Sequence, residues 1–168
     1  MWHSHWTRII VFSLLISASV AMAAEAPGIP STSTGPTSES EAALLWKDGK
    51  NHYEKGQYSR AVAELRRFIA RYPGHPGYIE AHLFLGRALM NLNAAQEAKK
   101  SLEDYIGLAG KKPDAVQARL DLVRVKLALH QFPEALLLVQ ESLKLPMQNM
   151  PNTEAEALVL KSKTLIAL

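Results

Sequence analysis

One interval governs this sequence from Glu41 onward. Gly49 and Gly86 stand 37 residues apart, and Val123 continues the series. Ala61, Ala98 and Ala135 keep the same spacing, as do Leu65, Leu102 and Val139. So do Phe68, Tyr105 and Ser142, then Ile69, Ile106 and Leu143, and also Tyr58, Ala95 and Phe132. A period of this size means that supersecondary units are stacked on one another, because each unit cannot bury its apolar face alone.

Each unit divides into two helical stretches. The apolar positions predict helices over residues 41–55 and 58–71, 77–92 and 94–109, 113–130 and 133–145, with a final one over 152–168. The units then run over 41–76, 77–112 and 113–150, followed by a terminal helix. Gly56 splits the first pair, where freedom at positive φ suits a helix end. Pro133 suits a helix start, where its missing N–H is of no consequence. The second helix of each pair is apolar at its leading Ala and at +4, +7 and +8, which is one face of a 3.6-residue period. Small residues at Ala61, Ala98 and Ala135, opposed by Gly49 and Gly86, let paired helices cross closely. The expected fold is all-α, an α-solenoid of three helical hairpins plus a terminal helix spanning residues 41–168.

The N-terminus carries a different signal. "MWHSHWTR" ends in Arg8, residues 9–23 are uncharged and largely apolar, and Ala21-Met22-Ala23 places small residues where a signal peptidase reads them. At 1.5 Å per residue the uncharged run spans about 22 Å, short of the roughly 20 residues a membrane-crossing helix needs. Residues 1–23 therefore read as a signal peptide, with an uncleaved anchor as the competing reading. Cleavage would leave a chain secreted across the inner membrane, with the periplasm as its expected location and no stable membrane span. Residues 24–40, "AEAPGIPSTSTGPTSES", are Pro, Gly, Ser, Thr and small residues and predict a flexible tether.

Composition excludes several functions. A formal net charge of +3 gives no bulk electrostatic drive toward nucleic acid. The absence of cysteine removes disulfides, thiolate metal sites and cysteine nucleophiles. His52, His75, His82 and His130 show no spacing that sets two ligands on one helix face, so no metal site is expected. No phosphate loop, serine elbow or defined acid pair is present, so neither catalytic residues nor a cofactor are expected.

The residues Gly49, Gly56, Tyr58, Ala61 and Pro73, then Ala81, Leu85, Gly86 and Ala98, then Ala118, Leu122, Phe132 and Ala135 resemble the tetratricopeptide repeat family. The resemblance covers residues 41 to about 168. It departs at Leu45, His82 and Arg119, where an aromatic is usual, at Val123, and in a unit three residues longer than usual. The connector "RYPGHPGY" resembles those of periplasmic repeat proteins serving envelope machines, such as the Tol–Pal accessory protein and outer-membrane assembly lipoproteins.

What the family resemblance implies is a superhelix whose concave surface is lined by the first helix of each pair. On those helices Lys50, Arg87, Arg124 and Lys161 recur every 37 residues. Beside them run Trp46, Leu83 and Leu120, with Tyr53, Met90 and Leu127 one or two turns further along, the Leu and Met positions being open also to a place in the inter-repeat core. A basic row beside an apolar stripe suits a protein or peptide partner with acidic and hydrophobic side chains, held by a non-enzymatic scaffold of the cell envelope. The row is equally open to neutralisation by internal carboxylates such as Glu54, Glu80 or Asp121. Two further readings stand beside this one. The apolar terminal helix, with Leu158, Val159, Leu160, Leu165, Ile166 and Leu168, suits a homodimer. A polysaccharide- or peptidoglycan-associated role would use Trp46 and Tyr53 as aromatic platforms.

Overall fold

The computed structural model describes residues 38–110, 114–145 and 151–168. These fall within one unit, Thr34–Leu168, and contain seven helices and no strand. The helices are α1 (Ser38–Glu54), α2 (Tyr58–Arg71), α3 (Tyr78–Asn91), α4 (Ala95–Ala109), α5 (Asp114–Ala128), α6 (Phe132–Ser142) and α7 (Pro151–Ala167). Three hairpins, α1–α2, α3–α4 and α5–α6, are followed by one further helix, as the 37-residue interval predicts. The predicted signal peptide and residues 24–37 lie outside the described residues. The C-terminal end of the predicted tether is corrected: Ser38, Glu39 and Ser40 are helical. Glu39 and Glu41 supply negative charge to the first turn of α1, which favours starting the helix there.

The hairpin turns are built three times over on one hydrogen-bond plan. Gln57 N–H donates to the His52 carbonyl at 2.8 Å, Ala94 N–H to Leu89 at 2.9 Å, and Gln131 N–H to Lys126 at 2.9 Å. One residue earlier, Gly56, Asn93 and His130 have φ of 70°, 58° and 58°. This is a left-handed helix end that satisfies carbonyls otherwise left open, and it is 37-periodic like the helices it joins.

Inside each hairpin the close crossing is visible atom by atom. A Cβ on Gly49 would lie 2.8 Å from the Leu65 side chain, and one on Gly86 would lie 2.8 Å from Leu102. The third hairpin places Val123 where those glycines stand and Val139 where those leucines stand, and both valines are fully buried. A larger residue on one helix is thus matched by a smaller one on the other, which keeps the crossing filled. Ala61, Ala98 and Ala135 are also fully buried. Phe68 anchors the first hairpin, stacked on Trp46 at 5.6 Å and edge-on to His75 at 5.0 Å. One apolar cluster runs from α1 to α5, and a second joins Leu120 and Val123 to Ala135, Val139, Ala157 and Leu160.

The stack is curved. The first helices touch one another in sequence, α1 with α3, α3 with α5 and α5 with α7. The second helices α2, α4 and α6 make no such contacts among themselves. An array whose one row is in contact while the other is splayed has the first row on its inner, concave side. Among the described residues, no helix is long and apolar enough to cross a membrane.

Candidate functional site

The inner face carries the basic row, and the structure supplies each of its first three members with a carboxylate from the following first helix. Lys50 Nζ on α1 lies 3.7 Å from Glu80 on α3, and also sits 5.2 Å and 5.1 Å from the ring centres of Trp46 and Phe84. Arg87 Nε on α3 donates to Asp121 Oδ2 on α5 at 2.8 Å. Arg124 Nη1 donates to the other oxygen of Asp121 at 2.7 Å, and its Nη2 reaches Glu156 on α7. Asp121 is almost completely buried and accepts from both arginines. Gln117 Nε2 adds a 3.3 Å contact to Glu156. Lys161 is half-buried and pairs with no carboxylate among the described residues.

Of the apolar positions beside the row, Trp46 and Tyr53 are half-buried, whereas Leu83 and Leu120 are corrected from groove to core. Leu83 is 9% exposed and Leu120 0%. Both stand three residues before the close-crossing positions Gly86 and Val123, roughly one turn away on the same side of the helix, so they enter the packed cores. Trp46 lies against Phe68 and meets the edge of Phe84 at 5.8 Å, and Tyr53 meets Phe84 at 5.1 Å and Tyr58 at 5.8 Å. Rings engaged in this way make poor platforms for a sugar polymer.

An open recess of about 210 Å³ remains on this face, lined by Tyr53, Arg87, Met90, Asn91 and Asp121. Met90 also borders a second recess of about 310 Å³ with Asn93, Arg124, Val125 and Ala128. Met90 lines both recesses, beside the Arg87–Asp121 pair in the first and Arg124 in the second, and Ala95 of α4 also borders the second. Burial pushes the Tyr53 phenol up from its usual range, with Arg87 opposing and Asp121 adding to the rise. Its hydroxyl is therefore a neutral hydrogen-bonding group facing the recess. Asn91 is a contributor that sequence reasoning missed, since nothing in the repeat marks it. Glu80 and Asp121 are carboxylates the sequence already offered as neutralisers, and Glu156 is one it did not; each acidic partner follows its cation by 30 to 34 residues, which is one repeat less one to two turns.

A second polar feature lies where the hairpin helices α3 and α4 meet. His82 is buried, and neither of its ring nitrogens has a hydrogen-bond partner. Asp104 on α4 is 3.7 Å from Nδ1. Burial lowers the His82 pKa, Asp104 opposes that shift, and Lys100 adds to it. Arg119, one repeat later, also leaves a buried nitrogen without a partner. Among the described residues, no three His, Asp or Glu side chains gather to hold a metal ion.

Comparison with known proteins matches residues 1–148 to a protein-family model described as a tetratricopeptide repeat-like domain. α7 lies beyond that match. No curated protein matches the chain. Among solved structures, the yeast Sti1 TPR2B domain, determined in a pHsp70 complex, superposes with a TM-score of 0.63 at 20% identity. That match covers 76% of this chain and 98% of that one. The second TPR domain of human RPAP3, in complex with an HSP70 peptide, gives 0.62 at 20%, covering 76% and 97%. A Podospora anserina putative kinesin light chain with TPR-like repeats gives 0.66 at 21%, covering 79% and 69%.

Proposed function

We propose that this chain, which belongs to the tetratricopeptide repeat-like domain family, is a non-enzymatic protein-interaction module that holds a segment of a partner protein in its concave groove. The observation that carries this reading is the open recess on the inner row of helices, where Met90 and Tyr53 lie beside Arg87 and Asp121. An apolar side chain of the partner fits the Met90 floor. An acidic side chain of the partner exchanges with Glu80 or Glu156, whose pairs are partly solvated and worth about 0.2–1 kcal/mol each. Sti1 and RPAP3, two proteins of similar fold, were determined with Hsp70-derived ligands, which supports peptide binding as the use of such a groove. The signal-like residues 1–23 support export across the inner membrane and an envelope partner, and the chain then works as a periplasmic scaffold or adaptor.

The test is capture from an envelope extract with the parent chain and with Met90→Glu. This variant puts a charge in the recess beside Arg87 and Arg124 while removing no member of the ion pairs. With equal helical content in both, the expected result is one protein retained by the parent and lost by the variant. Identical captured sets would remove the groove from consideration.

A further inference from the structure

We infer that the recess where α3 and α4 meet, at Tyr78, Glu103 and Asp104, is a second binding site that takes the guanidinium group of an arginine on a partner protein. The recess holds about 400 Å³ and is bordered by Tyr78 and His82 on α3 and by Glu103, Asp104, Gly107 and Leu108 on α4. One of its walls is the polar group that the fold leaves unsatisfied. The His82 side chain is only 9% exposed, and neither ring nitrogen has a hydrogen-bond partner. Buried polar groups are nearly always paired within a chain, so a buried ring left open beside a recess points to a partner from outside. Asp104 Oδ2 is 3.7 Å from His82 Nδ1, too far for a hydrogen bond, and its carboxylate stays open to the recess. Glu103 is held only loosely, 3.8 Å from Lys126 Nζ.

This acidic recess belongs to the second hairpin alone. One repeat earlier, Arg66, Arg67 and Arg71 stand where Glu103, Asp104 and Leu108 stand; one repeat later, Arg119 replaces His82 and Gln140 replaces Glu103. His82 and Asp104 also border a recess of about 260 Å³ that contains Lys100 and Arg66, so a cation is directed to the Tyr78 side instead. Guanidinium suits that side better than ammonium. Two carboxylates around one recess call for several donors spread in a plane, and guanidinium loses less hydration on entering. The Tyr78 ring, edge-on to His82 at 5.0 Å, adds an aromatic wall for a planar cation. Leu108, 48% exposed, and the open space beside Gly107 receive the methylene stem. Both acids are half-exposed, so the recess grips the tip of its ligand and does not enclose a whole small molecule. An arginine carried on a protein segment meets that condition.

The test is titration of the full chain with acetyl-Gly-Arg-Gly-amide while the His82 ring protons are followed by NMR. The expected result is a saturable shift with a dissociation constant of about 1–10 mM. The citrulline peptide, which has the same shape without the charge, should leave His82 unmoved, and the lysine peptide should bind at least about threefold more weakly. The groups facing His82 are Tyr78 on its own helix, Lys100, Glu103, Asp104 and Glu97 on α4, and Arg66 on α2. A guanidinium added to these opposes protonation of the ring, so the His82 titration should move to lower pH with the arginine peptide bound. Glu103→Gln with Asp104→Asn, at unchanged helical content, should weaken the arginine peptide about tenfold or more. No saturable response of His82, an equal response to citrulline, equal affinity for lysine, or a double variant that binds as the parent does would each overturn the inference. None of these outcomes bears on the recesses at Met90, which share no residue with this one.

Discussion

At the scale of single residues, the left-handed turn positions differ in how well their side chains suit them. Gly56 adopts positive φ freely, Asn93 tolerates it, and His130 holds φ of 58° against its own Cβ. Removing that Cβ relieves about 1–2 kcal/mol of strain and raises the entropy of the unfolded chain by a smaller amount. His130→Gly should therefore stabilise the protein by about 0.5–1 kcal/mol in urea denaturation, and an equal loss would show that the ring contact with Phe132 matters more. The buried His82 acts in the opposite direction. Its folded pKa lies below the usual 6.5, so the unfolded chain binds a proton that the folded chain resists. Stability is full above about pH 6.5 and falls as pH drops toward the lowered folded value. His82→Phe should flatten that acid limb and, by removing two unpartnered nitrogens, add about 1 kcal/mol at neutral pH. Urea midpoints at pH 5 and 7.5 for both proteins check this, and an unchanged pH slope would count against it.

At the scale of helices, Asp121 binds three successive first helices together, because Arg87 on α3 and Arg124 on α5 both end on it and Arg124 continues to α7. Asp121→Asn leaves two guanidinium groups facing each other with half their neutralising charge gone. Since both arginines are partly solvated, the loss should be about 2 kcal/mol rather than the larger penalty of a fully buried pair. A double-mutant cycle with Arg124→Met should recover part of it, and independent effects would mean that Asp121 acts through Arg87 on α3 and not through Arg124. The hairpins themselves were legible in the sequence, because Gly86 against Leu102 and Ala98 at the crossing are demands of packing that repeat in every unit. The groove was less so. Spacing puts Leu83 and Leu120 near the basic row, yet at roughly one turn from Gly86 and Val123 they belong to the hairpin cores. The sequence also offers Glu80 and Asp121 as carboxylates that could neutralise the four cations, but not Glu156 and not which carboxylate meets which cation, since pairs between units depend on how one hairpin leans on the next. On α7 the positions one repeat after the buried Ala118, Leu122 and Val125 are Ala155, Val159 and Ser162, yet these are exposed and Ala157, Leu160 and Thr164 are buried, because register does not say which face is docked.

At the scale of the whole repeat array, contacts pass from each unit to its neighbours, with two apolar clusters meeting at α5. Such an array bends more easily than it comes apart. Its inner arc is laced by the pairs Lys50–Glu80, Arg87–Asp121 and Arg124–Glu156, while its outer row of helices is splayed. In mechanical terms this is a bow whose string is made of charge. Salt slackens such a string, because screening at high ionic strength weakens partly solvated pairs while leaving apolar seams intact. Spin labels on Leu44→Cys and Leu137→Cys, both exposed and at opposite ends of the array, should move apart as salt rises, and a distance indifferent to salt would mean that the seams alone set the curvature. The grip of the array on anything held in its arc is then a matter of tension as much as of contact, and the ionic strength of its surroundings sets how tightly it is drawn.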